Sequence, residues 1–269
     1  MYKNDLVSVV MATHNPKVDY IKLSLESICA QTYPAIEIII VDDGSDMDVN
    51  SMIEGFNLSR EYKTIRLSRQ SGLANALNAG IKESSGKYIA RLDDDDLSVK
   101  ERIEKEVELL KSHPNAVCVF TAVRVIDGTG KSLYEIVHKK KSPQKIANYL
   151  TMYGNPFCHS SAMYLHKLID ELNGYNPMYT YAQDYELWLR LSKKGDIYYI
   201  PEVLTLWRNI DGNKSVQKEA LQTAYCEAAR YETYLRNRTI RTTVNYIISR
   251  VYCTAQIVLL KSRQNLRKE

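Results

Sequence analysis

The stretch that decides the fold runs from Ile36 to Ser45 and reads Ile-Glu-Ile-Ile-Ile-Val-Asp-Asp-Gly-Ser. Its first six residues form a short, mostly β-branched apolar run, which predicts a strand buried on both faces. Side chains just beyond the carboxyl ends of parallel strands face the ligand crevice of an open α/β sheet. Asp43 is therefore a candidate for hydrogen bonding to a base or a ribose, and Gly44 permits close backbone approach. An ordinary strand-to-helix turn would use the same residues.

Strand and helix patterns alternate on both sides of this stretch. Ser98 opens a capping-box pattern with Glu101, so we expect Ser98 to cap the helix that follows. Such alternation predicts an α/β domain with a Rossmann-like, mostly parallel central sheet and flanking helices. The predicted strands are Leu6–Ala12, Ile36–Val41, Tyr62–Leu67, Lys87–Leu92 and Ala116–Phe120, and the predicted helices are 21–30, 73–81 and the one after Ser98.

The pattern changes after residue 120, where an Asp-Gly-Thr-Gly loop at 127–130 separates two strand-like runs and predicts a hairpin. A mixed segment covers 157–175. Further predicted elements are helices at 142–152 and 183–192, short strands at 197–200 and 203–207 around Pro201, and helical structure from about 215. We expect one catalytic domain over 1–215, with halves 1–120 and 121–215, and a C-terminal helical extension over 216–269.

Composition narrows the classes of protein to consider. The chain has 269 residues, 45% hydrophobic and 25% charged, which is ordinary globular usage. Its five cysteines are widely spaced without a C-x-x-C pair, so we expect no disulfide framework and no zinc site, as in a reducing cytosol. The sequence contains no run of 18 uncharged apolar residues, so we expect no membrane span, and we recognise no signal peptide. The net charge of +4 gives no reason to expect a nucleic-acid partner.

Two further acidic sites follow predicted elements. Asp93-Asp94-Asp95-Asp96 comes directly after a strand, where four carboxylates repel one another unless they are solvated or neutralised. Hard oxygen ligands suit Mg²⁺ or Mn²⁺, so we favour a metal site over a solvated loop. Asp184 begins a predicted helix and is either a helix-dipole residue or a general base. The fingerprints of dinucleotide-binding, P-loop and serine-hydrolase sites are absent from the sequence.

In this order, the three acidic sites and the segments around them resemble the inverting nucleotide-sugar glycosyltransferases of family two, which have the GT-A fold. The resemblance extends from residue 5 to about 215, and the ordered set is specific although each piece is weak. The matching segments are Val7–Asn15, Ser27–Ile28, Gln31–Tyr33, Glu37–Ser45, Gly72–Ala74, Leu77–Asn78, Gly80–Ile81, Gly86–Asp96, Gly174–Tyr175 and Asp184–Arg190.

The resemblance implies a role for each matching residue. Ala12 and His14 correspond to positions that contact the nucleotide base, and Asp43 to the carboxylate that holds a uracil. Arg91 and Asp94 correspond to positions beside the ribose and sugar of the donor. Asp93 and Asp95 correspond to the pair that binds Mn²⁺ or Mg²⁺ and through it the donor diphosphate. Asp184 corresponds to the general base that deprotonates the acceptor hydroxyl.

The sequence departs from the family pattern after the last core strand. Many relatives carry Tyr-Arg-x-His there, whereas this chain has Leu206-Trp207-Arg208-Asn209-Ile210-Asp211. Asp211 is a candidate replacement for the histidine at the metal. Arg208 is a candidate phosphate contact, with packing or a salt bridge as the alternative.

Residues 239–269 form a basic amphipathic pattern. Such a helix lies on an anionic membrane surface, or packs on its own domain or a partner. The resemblance implies a cytoplasmic enzyme, peripheral to the inner face of the membrane if this segment binds lipid. It would transfer a hexose-type sugar, with inversion, from a UDP-linked or similar donor to a saccharide or lipid-linked glycan in bacterial surface-polysaccharide synthesis. The alternatives are a nucleotidyltransferase and a non-catalytic sugar-nucleotide-binding scaffold.

Overall fold

The computed structural model describes residues 3–139, 141–210, 216–236, 239, 243–244, 246–248 and 250–251. Within these residues nine strands form one sheet. Seven α-helices and one 3-10 turn lie between strands, and an eighth helix follows the last strand. The strands are β1 Lys3–Thr13, β2 Ile36–Asp42, β3 Tyr62–Arg66, β4 Gly86–Arg91, β5 Leu97–Ser98, β6 Ala116–Ile126, β7 Ser132–Ile136, β8 Ala162–Leu165 and β9 Asp196–Arg208. The helices are α1 Val18–Cys29, α2 Val49–Glu54, α3 Leu73–Lys82, α4 Arg102–Ser112, α5 Pro143–Tyr153, α6 His166–Glu171, α7 Gln183–Leu191 and α8 Val216–Arg236, and the 3-10 turn is His159–Ser161.

The strand order is β3-β2-β1-β4-β8-β6-β9-β5, with β7 paired to β6. The half made of β3, β2, β1 and β4 is entirely parallel, as the alternating pattern predicts. The other half is mixed, because β8 runs antiparallel to both β4 and β6 while β6 and β9 are parallel. In the parallel half Thr13 pairs with Asp42 and Val10 with Arg91, so the chain leaves β1, β2 and β4 at one edge of the sheet.

Helices cover both faces of the sheet. Successive residues of β2 point to opposite sides: Ile38 and Ile40 pack against α1, α2 and α4, whereas Ile39 and Val41 pack in the core that contains α3, α5, α6, α7 and α8. All four side chains are at most 2% exposed. This double burial explains why Ile38–Val41 is an unbroken apolar run rather than an alternating one.

Two local predictions are wrong. Ser98 does not cap a helix: it belongs to β5, and α4 begins at Arg102. The backbone of this segment pairs with β9, where Val99 N donates to Leu204 O at 2.9 Å, so strand pairing outweighs the local capping signal. The two short strands expected around Pro201 are one strand, β9, whose register against β6 shifts beside the proline.

Gly44 lies in close contact with the protein backbone at Arg69 and Gln70, whereas its expected approach to a ligand stays a prediction. Its φ is +70°, and a Cβ there would lie 2.5 Å from the carbonyl carbon of Arg69. We expect Gly44→Ala to lower the free energy of unfolding by about 2 kcal/mol or more, through backbone strain plus the clash. Gly130 is the matched control, since its φ is +88° but no atom lies within 4 Å of its Cβ position. Urea unfolding followed by circular dichroism should show a clearly larger loss for Gly44→Ala; equal losses would contradict the close approach.

The helical structure expected from residue 215 is present as α8, which packs against α7. Most of the predicted amphipathic segment 239–269 lies outside the described residues. Among the helices that the structure describes, none is both long enough and apolar enough to cross a bilayer.

Candidate active site

The acidic loop Asp93–Asp96 follows β4, and Asp93 is held on both carboxylate oxygens. The fully buried Arg91 guanidinium pairs with Oδ1, and the Ser160 hydroxyl donates to Oδ2 at 2.8 Å. Ser160 Oγ also accepts a hydrogen bond from Asp93 N at 3.1 Å. Ser160 is completely buried in the 3-10 turn before β8. The antiparallel strand β8 therefore brings to the acidic loop the hydroxyl that orients Asp93.

The four carboxylates of this loop have unequal proton affinities. Burial, the largest single influence, acts to raise the pKa of Asp93, but the positive charge of Arg91 and the hydrogen bonds from Ser160 and Arg91 together outweigh it, so the pKa lies below its usual range. Burial raises the pKa of Asp94, and burial together with the charges of Asp93 and Asp94 raises the pKa of Asp95 to about 7. Burial also raises the pKa of Asp96 well above its usual range. The loop thus holds more carboxylates than its neighbouring cations neutralise, an environment that favours a bound cation.

The donor set fits a divalent cation that a substrate helps to bind. In the part of the chain that the structure describes, no three His, Cys, Asp or Glu side chains form a ready-made metal site. Mg²⁺ is usually held by one or two carboxylates plus substrate phosphates, and Asp93 and Asp95 match that incomplete set. Asp96 Oδ2 is buried without a hydrogen-bond partner among the described residues, so the loop has unsatisfied acceptor capacity. Asp211, the other predicted ligand, lies outside the described residues.

Asp43 is buried at the end of β2 and anchors the start of α3. Its Oδ1 accepts hydrogen bonds from Ser71 N and Ser71 Oγ, both at 2.7 Å, and its Oδ2 accepts one from Gly72 N at 2.9 Å. A carboxylate has about four acceptor positions, so one remains for a ligand N–H. His14 is exposed, and its Nδ1 lies 3.0 Å from Asp43 O. These positions are compatible with the expected contacts to a nucleotide base, which stay predictions.

Thr13 joins Asp43 to the acidic loop. Its carbonyl oxygen accepts a hydrogen bond from Asp43 N at 2.8 Å, and its hydroxyl donates to the Asp94 carboxylate. Ala12, one residue earlier, is buried and pairs with Val41. The ends of β1, β2 and β4 are thus hydrogen bonded into one continuous edge, as expected from the parallel sheet.

Asp184 lies in the first turn of α7, behind the loop that follows α5. Asn155 Nδ2 donates to Asp184 Oδ2 at 2.8 Å. Burial raises the pKa of Asp184 to about 6, and the negative charge of Asp93 adds to the shift. Glu186 points away and pairs with Arg190, its closest oxygen lying 2.6 Å from the guanidinium. Asp184 is therefore the acid of this helix with the proton affinity of a general base near neutral pH.

Asp93 and Asp184 line the same cavity, which has a volume of about 490 Å³. Strands β6, β7 and β9, the 154–159 segment, α7 and α8 supply most of the rest of its wall. The structure describes His14, Asp43 and Asp95, but these residues do not line the cavity. The predicted site therefore has two parts: this cavity and the adjoining edge of the sheet. The structure connects the two parts through the acidic loop.

Arg208, at the end of β9, holds that loop from the other side. Its Nε donates to Asp95 O at 2.8 Å and its Nη1 to Asp127 O at 3.1 Å. Its guanidinium carbon lies 4.5 Å from the centre of the Tyr20 ring. The structure therefore gives Arg208 a packing and positioning role, and its contact with phosphate remains a prediction.

Sequence reasoning missed four residues of the site: Thr13, Asn155, His159 and Ser160. His159 lines the cavity, its Nε2 lies 2.8 Å from Tyr175 Oη, and burial lowers its pKa to about 3, so the ring is neutral. The local signal in the sequence is the polar run His159-Ser160-Ser161 directly before a short apolar strand. Nothing local, however, indicates that this run meets an acidic loop more than sixty residues earlier in the chain.

Comparisons with known proteins agree with this arrangement. The model of glycosyl transferase family 2 matches residues 8–172. An uncharacterized glycosyltransferase of Haemophilus influenzae is 33% identical over 78% of this chain and 67% of its own length. The O-antigen biosynthesis glycosyltransferase WbnJ of Escherichia coli is 30% identical over 88% of this chain and 91% of its own.

A solved structure has the same fold. Residues 1–349 of TarS from S. aureus, crystallised with UDP, superpose with a TM-score of 0.68 at 16% identity, covering 92% of this chain and 70% of that one. The expected GT-A architecture, with its central sheet and flanking helices, is thereby confirmed. Since the family model covers more than half of the sequence, the chain belongs to glycosyl transferase family 2.

Proposed function

We propose that this glycosyltransferase moves a hexose-type sugar, with inversion, from a nucleoside diphosphate donor to a saccharide or lipid-linked saccharide hydroxyl. One observation carries the proposal: Asp93 of the acidic loop and Asp184, whose pKa is raised to about 6, line one cavity. A single base opposite a single leaving group is the arrangement of an in-line displacement at an anomeric carbon. We expect UDP as the nucleotide, and the fold shared with a protein crystallised with UDP supports that choice.

Asp184 receives the proton of the attacking hydroxyl, and Asn155 keeps the carboxylate turned toward it. Asp93 and Asp95 would hold Mn²⁺ or Mg²⁺, which stabilises the charge that develops on the departing diphosphate. Ser160 and Arg91 fix the orientation of Asp93, a preorganisation that avoids rearrangement during the reaction.

The edge formed by Ala12, His14 and Asp43 is the proposed nucleotide-base site, with Asp94 toward the ribose and sugar. Arg91, which the resemblance also places beside the donor, is fully buried and paired with Asp93, so we assign it to holding that carboxylate instead. Supporting this, Asp43 retains one free acceptor position and His14 is exposed beside it. The names of similar proteins, WbnJ of O-antigen biosynthesis and AmsE of amylovoran biosynthesis, support a role in bacterial surface-polysaccharide synthesis. We further propose that the enzyme is cytoplasmic and that 239–269 contacts the inner face of the membrane.

The pH dependence of turnover should report Asp184. The base acts only when ionised, and its pKa is raised to about 6, so kcat should fall about tenfold per pH unit below pH 6 and level off above it. Steady-state rates between pH 4.5 and 8, with protein integrity checked by circular dichroism, provide the measurement. A rate that stays flat down to pH 5 would remove Asp184 from the base role.

A thermal-shift panel tests the proposed function and identifies the donor. Ligands that bind only the folded protein raise its melting temperature, so the true nucleotide diphosphate sugar should do so in the presence of Mn²⁺. UDP, GDP and dTDP sugars are compared with the matching nucleoside triphosphates. Stabilisation by triphosphates alone would favour the alternative, a nucleotidyltransferase, and no stabilisation by any nucleotide would contradict the proposal.

A further inference from the structure

One wall of the cavity comes from α8, beyond the residues that the family model matches. Four of its side chains line the cavity: Gln222, Thr223, Cys226 and Arg230. Their spacing places them on one face of the helix. Helix α8 is also anchored in the core, because Ala229 is 1% exposed and packs in the same cluster as α7. The C-terminal segment therefore contributes directly to the space in front of Asp184.

Arg230 is a cation in this wall and is only 4% exposed. Its guanidinium carbon lies 5.9 Å from the centre of the Tyr185 ring, next to Asp184 in the sequence. Its Nη1 lies 3.7 Å from the position that a Cβ on Gly154 would take, and Gly154 precedes Asn155, the partner of Asp184. Arg230 is thus on the Asp184 side of the cavity, where the acceptor hydroxyl must arrive.

A second basic region adjoins this side. A smaller pocket shares His138, Pro156 and Phe157 with the cavity, and Lys139 and Lys141 line it. Both lysines are exposed, and the Lys141 ammonium lies 4.3 Å from the centre of the Tyr149 ring. Positive charge therefore continues from the interior of the cavity to its rim, which attracts anionic ligands.

We propose that the acceptor is anionic and that Arg230 binds its negatively charged group, a phosphate or a carboxylate, inside the cavity. This inference rests on the proposed function, because it assumes that the acceptor hydroxyl reaches Asp184. A guanidinium presents a planar fork that matches both anions, and a site of low solvent access strengthens the pairing. In the proposed function, the donor diphosphate binds elsewhere, at the acidic loop on the Asp93 side of the cavity. Lys139 and Lys141 lie where the next charged group of the acceptor would pass.

The test measures anion preference at equilibrium, with the donor side already filled. Protein saturated with UDP and Mn²⁺ is titrated with methyl glucoside, methyl glucuronide and glucose 6-phosphate. Binding is followed by tryptophan fluorescence, since Trp207 lines the cavity and Trp188 packs against the cavity residue His159. We expect at least one anionic probe to bind about tenfold or more tightly than the neutral one. Tighter binding of methyl glucuronide would indicate a carboxylate on the acceptor, and tighter binding of glucose 6-phosphate would indicate a phosphate. Equal affinity for all three probes would overturn the inference.

Arg230→Gln should remove this preference while leaving the affinity for UDP unchanged. Arg230→Lys keeps the charge but loses the fork, so it should retain only part of the preference, and it decides the question if Arg230→Gln fails to fold by circular dichroism. A preference that survives both substitutions, or an equal loss of UDP affinity, would overturn the inference. If wild-type protein binds none of the nucleotides of the thermal-shift panel, the proposed function fails instead, and the same titrations without nucleotide still decide whether Arg230 binds anions.

Discussion

Asp184→Asn should lower the transfer rate by about 10²–10⁴-fold, the usual contribution of a positioned general base, while UDP binds as in the wild type. The substitution is isosteric, and its amide oxygen can still accept the hydrogen bond that Asn155 donates at 2.8 Å. Only the proton acceptor is removed. Asp184 also sits in the cavity wall beside α8, away from the edge that contains Asp43, so nucleotide affinity should not change.

Glu186→Gln is the matched control for this variant. Glu186 is an acid of the same helix that pairs with Arg190 and does not line the cavity, and glutamine can keep a hydrogen bond to that guanidinium. Its transfer rate should stay within about twofold of the wild type. Rates are measured as nucleotide released per enzyme and UDP affinity by calorimetry. Substantial transfer by Asp184→Asn, or a matching loss in Glu186→Gln, would contradict the assignment of the base.

Removal of divalent metal should have an effect of similar size. Without a cation the acidic loop cannot hold a diphosphate, because Asp93, Asp94 and Asp95 would repel it at close range. We expect EDTA to suppress transfer and to weaken UDP binding by about 100-fold or more, consistent with the several kcal/mol that a metal contributes. Adding back Mn²⁺ or Mg²⁺ should restore both.

Asp95→Asn should reproduce part of the EDTA effect in the presence of metal, by raising the Mn²⁺ concentration needed for half-maximal UDP binding. Asp19→Asn is the control, since Asp19 is an exposed acid in the first turn of α1, outside the site. Calorimetric titration of UDP at several Mn²⁺ concentrations separates the two variants. UDP binding that is equally tight with EDTA and with Mn²⁺ would exclude the proposed metal site.

The parallel half of the fold can be predicted from the sequence because its strands have a strong local pattern of apolar residues. A strand segment that is buried on both faces favours apolar residues at successive positions, and in β2 the run Ile38–Val41 shows this pattern directly in the sequence. The carboxyl ends of parallel strands lie at one edge, and this rule correctly predicts that Asp43 and the acidic loop belong to one edge of the sheet.

The mixed half of the sheet is harder to predict from the sequence, because pairing between strands that are distant in the chain determines its structure. Two-residue strand β5 exists only through its partner β9, and that pairing also explains why Ser98 is not a helix cap. Strand β8 lies within the segment 157–175, whose pattern is mixed, and it is fixed by antiparallel partners on both sides. A short segment between two partners needs no periodicity of its own.

In the candidate site, too, some residues can be predicted from the sequence and others only from long-range contacts. Acidic residues stand out in the sequence, so Asp93 and Asp184 are predicted. Ser160 and Asn155, which orient them, are small polar residues whose importance depends on partners 67 and 29 positions away. The pattern also predicts where Asp43 lies but not that Ser71 and Gly72 already occupy most of its acceptor positions.

The most direct test of the central claim, sugar transfer from a nucleotide diphosphate donor in the cavity shared by Asp93 and Asp184, is to identify the phosphorus-containing products. The protein is incubated with the donor selected by the thermal-shift panel, Mg²⁺ and a saccharide acceptor, and the reaction is followed by ³¹P nuclear magnetic resonance. We predict that the nucleoside diphosphate appears at the rate at which the donor disappears, and that Asp184→Asn suppresses this. Release of pyrophosphate, or an unchanged donor under conditions in which it binds, would contradict the account.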